Sequence, residues 1–341
     1  MKNVKLFSAL LAFALMAVVA ASGTAFAAKT IKLHHLNKDD PFDNPTGAMA
    51  TVFKSLVEAG TNGSVMVQTF PSGQLGKDKD AVQQVKGGVI QSGIHSVGGF
   101  ASVYPLIGIL DIPFAFPNLS KTYEVFDGPF GAKLAADIQE KTGLHVLGFG
   151  DSGGFFHITN SKRPIHTPAD MDGIKIRTMG LDTHKAIITA MGGQPAAISW
   201  SEVYTALQTG VADGQMNPIP IIAFAKFQEV QKYLTLTGHI FAPYVWSINK
   251  DFWNSLSDSE KEVVSYAAKS AIVAGRGMGR VIEASDRGLV ELSKNMEVNT
   301  LTTEEKQAFK EAAVPEVKKL ILEKFGADGE ELLSAFLEAV K

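Results

Sequence analysis

Three short stretches between Lys175 and Pro218 carry the side chains best placed to do chemistry: Lys175-Ile-Arg177, Trp200 with Glu202 ahead of Gln208, and Asp213-Gly-Gln-Met-Asn217-Pro218. They supply a guanidinium, an indole and a primary amide, and none of these is a nucleophile. A guanidinium offers a planar fork to a carboxylate, whereas an ammonium binds only as a point charge. The chemistry implied is capture of an anion rather than turnover. Each residue also has an ordinary alternative: Arg177 as a strand-end ion pair, Asn217 before Pro218 as a turn residue bonding its own backbone, and Trp200 as core packing.

The elements that must position these groups alternate between strand and helix. Ile31 to His35 reads as a strand, Met49, Val52, Phe53, Leu56 and Val57 repeat at helical spacing up to Gly60, and Asn62-Gly63 turns the chain into a strand from Ser64 to Phe70. This β-α-β unit predicts a parallel sheet. A second round places a helix from Asp78 to near Gly88 and a strand from Ile90 to Ser96. Leu110 to Phe114 reads as an apolar strand or turn, Pro129 to Thr142 as a helix and His145 to Phe149 as a strand, with Gly153-Gly154 breaking the pattern.

Beyond that break, Thr167-Pro168-Ala-Asp170 predicts a short helical turn ahead of a strand from Ile174 to Met179. Ser199-Trp-Ser-Glu202 has the form of a capping box opening a helix that stops at Gly210, which puts Trp200 where free amides favour an anion. Tyr233 to His239 and Ala242 to Asn249 read as further strands. From the Ser257 cap a long helix is expected to continue toward Ser293, Thr302 caps another, and the last helices are expected from Pro315 and near Glu330.

Residues 1–27 have the pattern of a cleavable signal peptide: Lys2 and Lys5, an apolar run from Leu6 to Ala20, and Ala25-Phe26-Ala27 before Ala28. With no cysteine, neither a lipid anchor at the cleavage site nor a disulfide framework is available. The chain from Ala28 onward exceeds the size at which one hydrophobic core keeps growing, so two lobes are expected. Without Lys2 and Lys5 the formal charge moves from −3 to −5, and no basic stripe is present. That balance argues against nucleic acid and anionic membrane surfaces as partners, and no later segment is apolar enough to insert in a membrane.

Other constellations are weak. His34 and His35 are adjacent on a strand and face opposite ways, so they cannot chelate one metal together. Asp39, Asp40 and Asp43 lack the glycine and terminal glutamate of a calcium loop, and Gly275-Arg-Gly-Met-Gly279 follows no strand. Neither a metal nor a cofactor is expected. Gly150-Asp-Ser152-Gly-Gly154 fits the letters of a nucleophile elbow, which raises a secreted hydrolase as a rival class. An elbow must open a helix, and Phe155-Phe-His-Ile-Thr159 instead continues as a strand.

The run from Pro164 to Arg177, followed by Ser201 to Gln215, closely resembles the solute-binding subunit of tripartite ATP-independent periplasmic (TRAP) transporters. Thr61-Asn-Gly63, Pro71 to Gly76 and Thr237-Gly-His239 match the same family pattern. The resemblance implies an α/β, two-lobed periplasmic-binding-protein fold, type II-like, with crossing hinge strands and a long bridging helix. It places one lobe at residues 28–153 plus about 243–282 and the other at 154–242 plus about 283–341. It also implies a monomer that closes over one small organic acid and hands it to a membrane permease driven by a sodium gradient. Carried over by position, Arg177 resembles the carboxylate-clamping arginine and Asn217 the amide supporting it. Trp200 occupies the aromatic contact position, with Ser96 and Asp78 near first-lobe contacts.

One departure bears on the ligand. Gly154-Phe155-Phe156-His157 stands where family members commonly have Gly-Phe-Arg-His, so Phe156 replaces a second pocket arginine, and Met216 replaces a common glutamate. A single cation beside Phe156 and Trp200, with Phe155 or Trp246 as further candidates, points to a monoanion with a flat apolar body, such as an aromatic or indole-type carboxylate. Alternatives are a dicarboxylate, sulfonate or sugar acid in the same fold, or a sensor role. In a further reading, Phe155 or Phe156 fills the core and another residue binds.

Overall fold

The computed structural model describes residues 28–341, and the expected signal peptide lies outside them. Strands β1 (Lys29–His35), β2 (Val65–Phe70) and β3 (Ser92–Ser96) pair in parallel, with β1 between the other two. Strand β4 (Leu144–Gly150) completes this sheet only through β10 (Tyr244–Asn249), which runs antiparallel to both β3 and β4. The order is β2-β1-β3-β10-β4. The β-α-β rule therefore describes the first three strands, while β10 enters from the other lobe and runs the opposite way.

The second sheet holds β5 (His157–Asn160), β6 (Lys175–Thr178), β7 (Gln194–Ala197), β8 (Gly214–Asn217), β9 (Tyr233–Leu236) and β11 (Glu297–Thr300) in the order β11-β9-β5-β8-β6-β7. The molecule is thus a two-lobed α/β fold. The chain passes between the sheets three times, once through helices from Asn249 to Glu297 and twice by short crossings, from Gly150 to His157 and from Leu236 to Tyr244. The crossings are bonded to one another: the Phe156 amide donates to the Ile240 carbonyl at 2.8 Å and the His239 amide to the Phe156 carbonyl at 3.2 Å.

A long helix, Asp258–Ala284, spans the crossings, and its start is the full capping box of Ser257 and Glu260. It packs so tightly on the helix Pro45–Gly60 that a Cβ on Gly275 would sit 2.6 Å from Met49 Cγ. Arg276 grips Asp127 through two bonds of 2.6 and 2.9 Å and lies over the Tyr123 ring, while Arg280 donates to the Gly153 carbonyl in the first crossing. Charge-assisted bonds of this kind hold the hinge segment against the helix.

Several expected boundaries move, each for a local reason. Of strand or turn, Leu110 to Phe114 takes the turn, at Pro113-Phe114, after the 3-10 helix Pro105–Asp111, whose buried Asp111 is engaged by Thr183 and His184 of the other lobe. The long helix stops at Ala284, where Ser285 turns extended, rather than near Ser293, and after a tight turn at Gly288, whose added Cβ would lie 2.4 Å from the Ile282 carbonyl, Leu289–Asn295 forms a separate helix. Pro315 does not begin a helix but lies inside Thr303–Ala339, on the exposed face where water can take the carbonyl it leaves unbonded. The break comes at Gly326, whose φ of 54° suits glycine.

Candidate functional site

Between the sheets lies a cavity of about 640 Å³, walled by Ser72, Lys77, Asp78 and Ser96 from one lobe and by Arg177, Met179, Trp200 and Asn217 from the other. Phe156 contributes from the crossing. The strand ends at β6 and β8 deliver the two groups suited to an anion. Arg177 is 4% exposed, and its Nε donates to the Ile198 carbonyl at 2.9 Å. Burial lowers its pKa to about 10, which still leaves it charged at neutral pH. No carboxylate lies within ion-pair distance of it among the described residues. A buried, unneutralised guanidinium beside a cavity is costly unless an anion arrives.

Asn217 closes β8, with its Nδ2 donating to Gln215 Oε1 at 2.5 Å. Trp200 is half-buried, its ring edge-on to Phe227 with centroids 5.9 Å apart. The capping box expected at Ser199 does not form. Trp200–Glu202 is a 3-10 turn before the helix Val203–Gln208, and Glu202 turns away to meet Lys77 across the cleft at 2.6 Å. On the opposite wall, Asp78 accepts from the Ser96 amide at 2.9 Å and the Ser96 hydroxyl at 2.6 Å, and meets His95 Nδ1 at 3.0 Å.

Six of the eight residues singled out from the sequence therefore line one cavity: Asp78, Ser96, Phe156, Arg177, Trp200 and Asn217. Two do not reach it. Trp246 is fully buried in the sheet core, where its indole donates to Ser92 Oγ at 3.0 Å and packs on Phe53. Phe155 does not line the cavity as its neighbour Phe156 does, and packs edge-on against Phe241. Ser152 borders the cavity, but its hydroxyl is spent on the Ala242 carbonyl at 3.0 Å, and no imidazole stands by it as a base.

Met179 was missed by sequence reasoning, although it follows Arg177 by two strand positions and so shares its face. Its partner is Gly98 on the other lobe, where an added Cβ would lie 2.6 Å from Met179 Cβ. Together with the Lys77 to Glu202 ion pair this brings the lobes into contact at the cavity mouth. No cluster able to hold a metal ion occurs among the described residues, and none of their helices is long and apolar enough to cross a membrane.

Comparison with known proteins places the chain in a family. The family described as DctP, bacterial extracellular solute-binding protein family 7, matches residues 37–324. The 2,3-diketo-L-gulonate-binding periplasmic protein YiaO of Escherichia coli is 32% identical over 286 residues, covering 84% of this chain and 85% of its own length. Among solved structures, the sugar acid binding protein of Advenella mimigardefordensis in complex with galactonate superposes with a TM-score of 0.85 at 32% identity, covering 92% of this chain and 98% of the other. A TRAP periplasmic solute binding protein from Desulfovibrio salexigens with bound orotic acid gives 0.85 at 28% identity, covering 91% and 98%. With a family match across most of its length and a relative 32% identical over 84% of it, the chain belongs to the DctP family of TRAP transporter solute-binding proteins, a periplasmic transport family and not an enzyme family.

Proposed function

We propose that this protein captures one small organic acid by lobe closure and presents it to a TRAP membrane permease, after residues 1–27 have directed its export and been removed. The ligand carboxylate is held by the fork of Arg177, with Asn217 as the neighbouring amide. The observation that carries this reading is the buried guanidinium without a carboxylate partner at the cavity wall. The ligand is a monoanion with a flat apolar body. Among the lining residues Arg177 is the buried cation, Lys77 is paired with Glu202, and Lys79 is exposed. Phe156 and Trp200 offer ring faces, and aromatic pairs add about 0.5 to 1.5 kcal/mol beyond burial. That the orotate-bound neighbour holds a flat ring acid supports this choice.

A second reading, a sugar or hydroxy acid, is favoured by the polar first-lobe wall of Asn37, Ser72, Asp78 and Ser96 and by the galactonate complex of a relative. A thermal-shift screen separates the two. Indole acids, benzoates and orotate should stabilise the protein, and a specific ligand at about a hundred times its Kd contributes about 2.7 kcal/mol. Phe156→Arg should weaken those ligands and admit succinate or galactonate, because the new cation removes the cost of burying a second polar end against a ring. A response to galactonate or succinate and to no aromatic acid overturns the flat-ring reading and leaves the transport assignment standing.

Closure itself is testable at Gly98. Valine there must push against Met179 Cβ, which no rotamer change can move. Overpacking of this kind costs about 1 to 3 kcal/mol, about 5- to 150-fold in affinity. Small-angle scattering of Gly98→Val should show a larger radius than the native protein at saturating ligand. Equal radii and equal affinities would remove the Gly98 and Met179 contact from the closing mechanism.

A further inference from the structure

Asn217 is the end of a buried chain of side-chain hydrogen bonds that runs across the second sheet, away from the cavity. Its Nδ2 donates to Gln215 Oε1 at 2.5 Å, Gln215 Nε2 donates to Thr159 Oγ1 at 3.0 Å, and Thr159 Oγ1 donates to Gln231 Oε1 at 2.9 Å. Gln231 Nε2 in turn faces the Val230 carbonyl at 2.9 Å, the Asp213 carbonyl at 3.3 Å and Ser161 Oγ at 3.0 Å. Thr159 and Gln215 are fully buried and directly opposite one another on antiparallel β5 and β8, and Gln231 is nearly so. Asn217 follows Gln215 by two positions and so shares its face. Neither Thr159 nor Gln231 lines the cavity.

The chain has only one consistent direction. Backbone carbonyls can only accept, so the amide nitrogen of Gln231 must face Val230 and Asp213, and its oxygen must face Thr159. The threonine hydroxyl has one hydrogen, which goes to that oxygen, so toward Gln215 it can only accept. Gln215 must therefore turn its nitrogen to Thr159 and its oxygen to Asn217, and Asn217 must answer with its nitrogen. Either flipped amide would set two donors or two acceptors face to face in a site closed to water, at the full cost of a buried unmade bond.

We propose that Thr159 and Gln215 are positioning residues for ligand capture, fixing the Asn217 amide in one orientation so that its second Nδ2 hydrogen and its Oδ1 meet the bound acid and the arginine in a constant arrangement. The inference rests on the reading of Asn217 as part of the carboxylate clamp. An amide free to flip would present the wrong dipole to the ligand for part of the time and lose the entropy of being held on binding.

The test uses Thr159→Val, which keeps the shape, removes the link and touches no cavity atom, and Thr159→Ser, which restores the hydroxyl. Calorimetry uses indole-3-acetate, orotate and galactonate, and NMR follows the assigned Asn217 side-chain amide signals without ligand. Thr159→Val should weaken whichever acid the native protein binds by about tenfold and shift the Asn217 signals, and Thr159→Ser should restore both. A merely structural threonine would lower the unfolding temperature and leave affinity and the Asn217 signals unchanged, which overturns the proposal. Should Thr159→Val not fold, Gln231→Met breaks the next link and is read the same way. Acid binding that survives Arg177→Ala refutes the clamp instead, and it is distinguishable because the Asn217 signals still report the chain.

Discussion

Arg177→Ala is expected to abolish acid capture at ordinary ligand concentrations while leaving the fold intact. The guanidinium is buried and charged, and among the described residues it bonds only through Nε to the Ile198 carbonyl, so most of its donors are left facing the cavity. Truncating one partner of a buried charge pair costs about 2 to 5 kcal/mol, about 30-fold to several thousand-fold in affinity. Stability should move the other way, since the ligand-free protein sheds a desolvated charge without a counter-ion. Arg177→Lys should fall between, because the charge stays and the two-pronged geometry goes. Calorimetry with the acid found in the screen and a thermal melt of the ligand-free proteins give both numbers. A change in Kd of less than about threefold takes Arg177 out of the site.

Much of the architecture was legible because its signals are local. The short turn after Thr167, the box at Ser257 and the Thr302 cap are each set by residues a few positions apart, and all three form as read. The box at Ser199 fails because Glu202 finds a better partner in Lys77, which comes from the other lobe and is invisible to any local pattern. Trp246 shows the same limit. An aromatic residue near a hinge is as compatible with a binding wall as with a core, and only the long-range pairing of β10 with β3, which brings Ser92 to its indole, decides for the core. Phe155 and Phe156 were both candidates for the wall or the core, and which one meets the cavity depends on the second crossing, where Phe241 packs against Phe155.

The two residues proposed to hold the ligand stood out for a different reason. Arg177 and Asn217 lie at the ends of strands β6 and β8, which flank the same cavity, so type and spacing pointed to them before any contact was known. The chain behind Asn217 did not stand out, because Gln215, Thr159 and Gln231 are ordinary polar residues until the register pairs them. Function here depends on residues whose meaning is set by neighbours far away in sequence.

Acid should unfold this protein early, and the cause is a set of histidines buried without charge. Burial pushes the imidazole of His34 down to about 4, with His95 adding to the effect, and does the same to His35 despite Asp39. His157, half-buried, is likewise held at about 4 by loss of solvent, and His239 at about 3 by burial with His157 and His184 beside it. In the unfolded chain each would take a proton near the ordinary value of about 6.5. Between that value and about 4 the unfolded state therefore binds more protons than the folded one, and stability falls as the pH falls. Above it the full contribution is present. Taking the native protein from pH 7.5 to 5 should remove about 2 kcal/mol for each of these histidines. At about 2 °C per kcal/mol for a chain of this size, the unfolding midpoint should drop by about 10 °C or more. His239→Gln, which can still meet Thr237 but cannot charge, should be less sensitive over the same range. A midpoint that holds constant from pH 7.5 to 5 would show that these imidazoles reach water or a counter-charge, and that burial does not set their protonation.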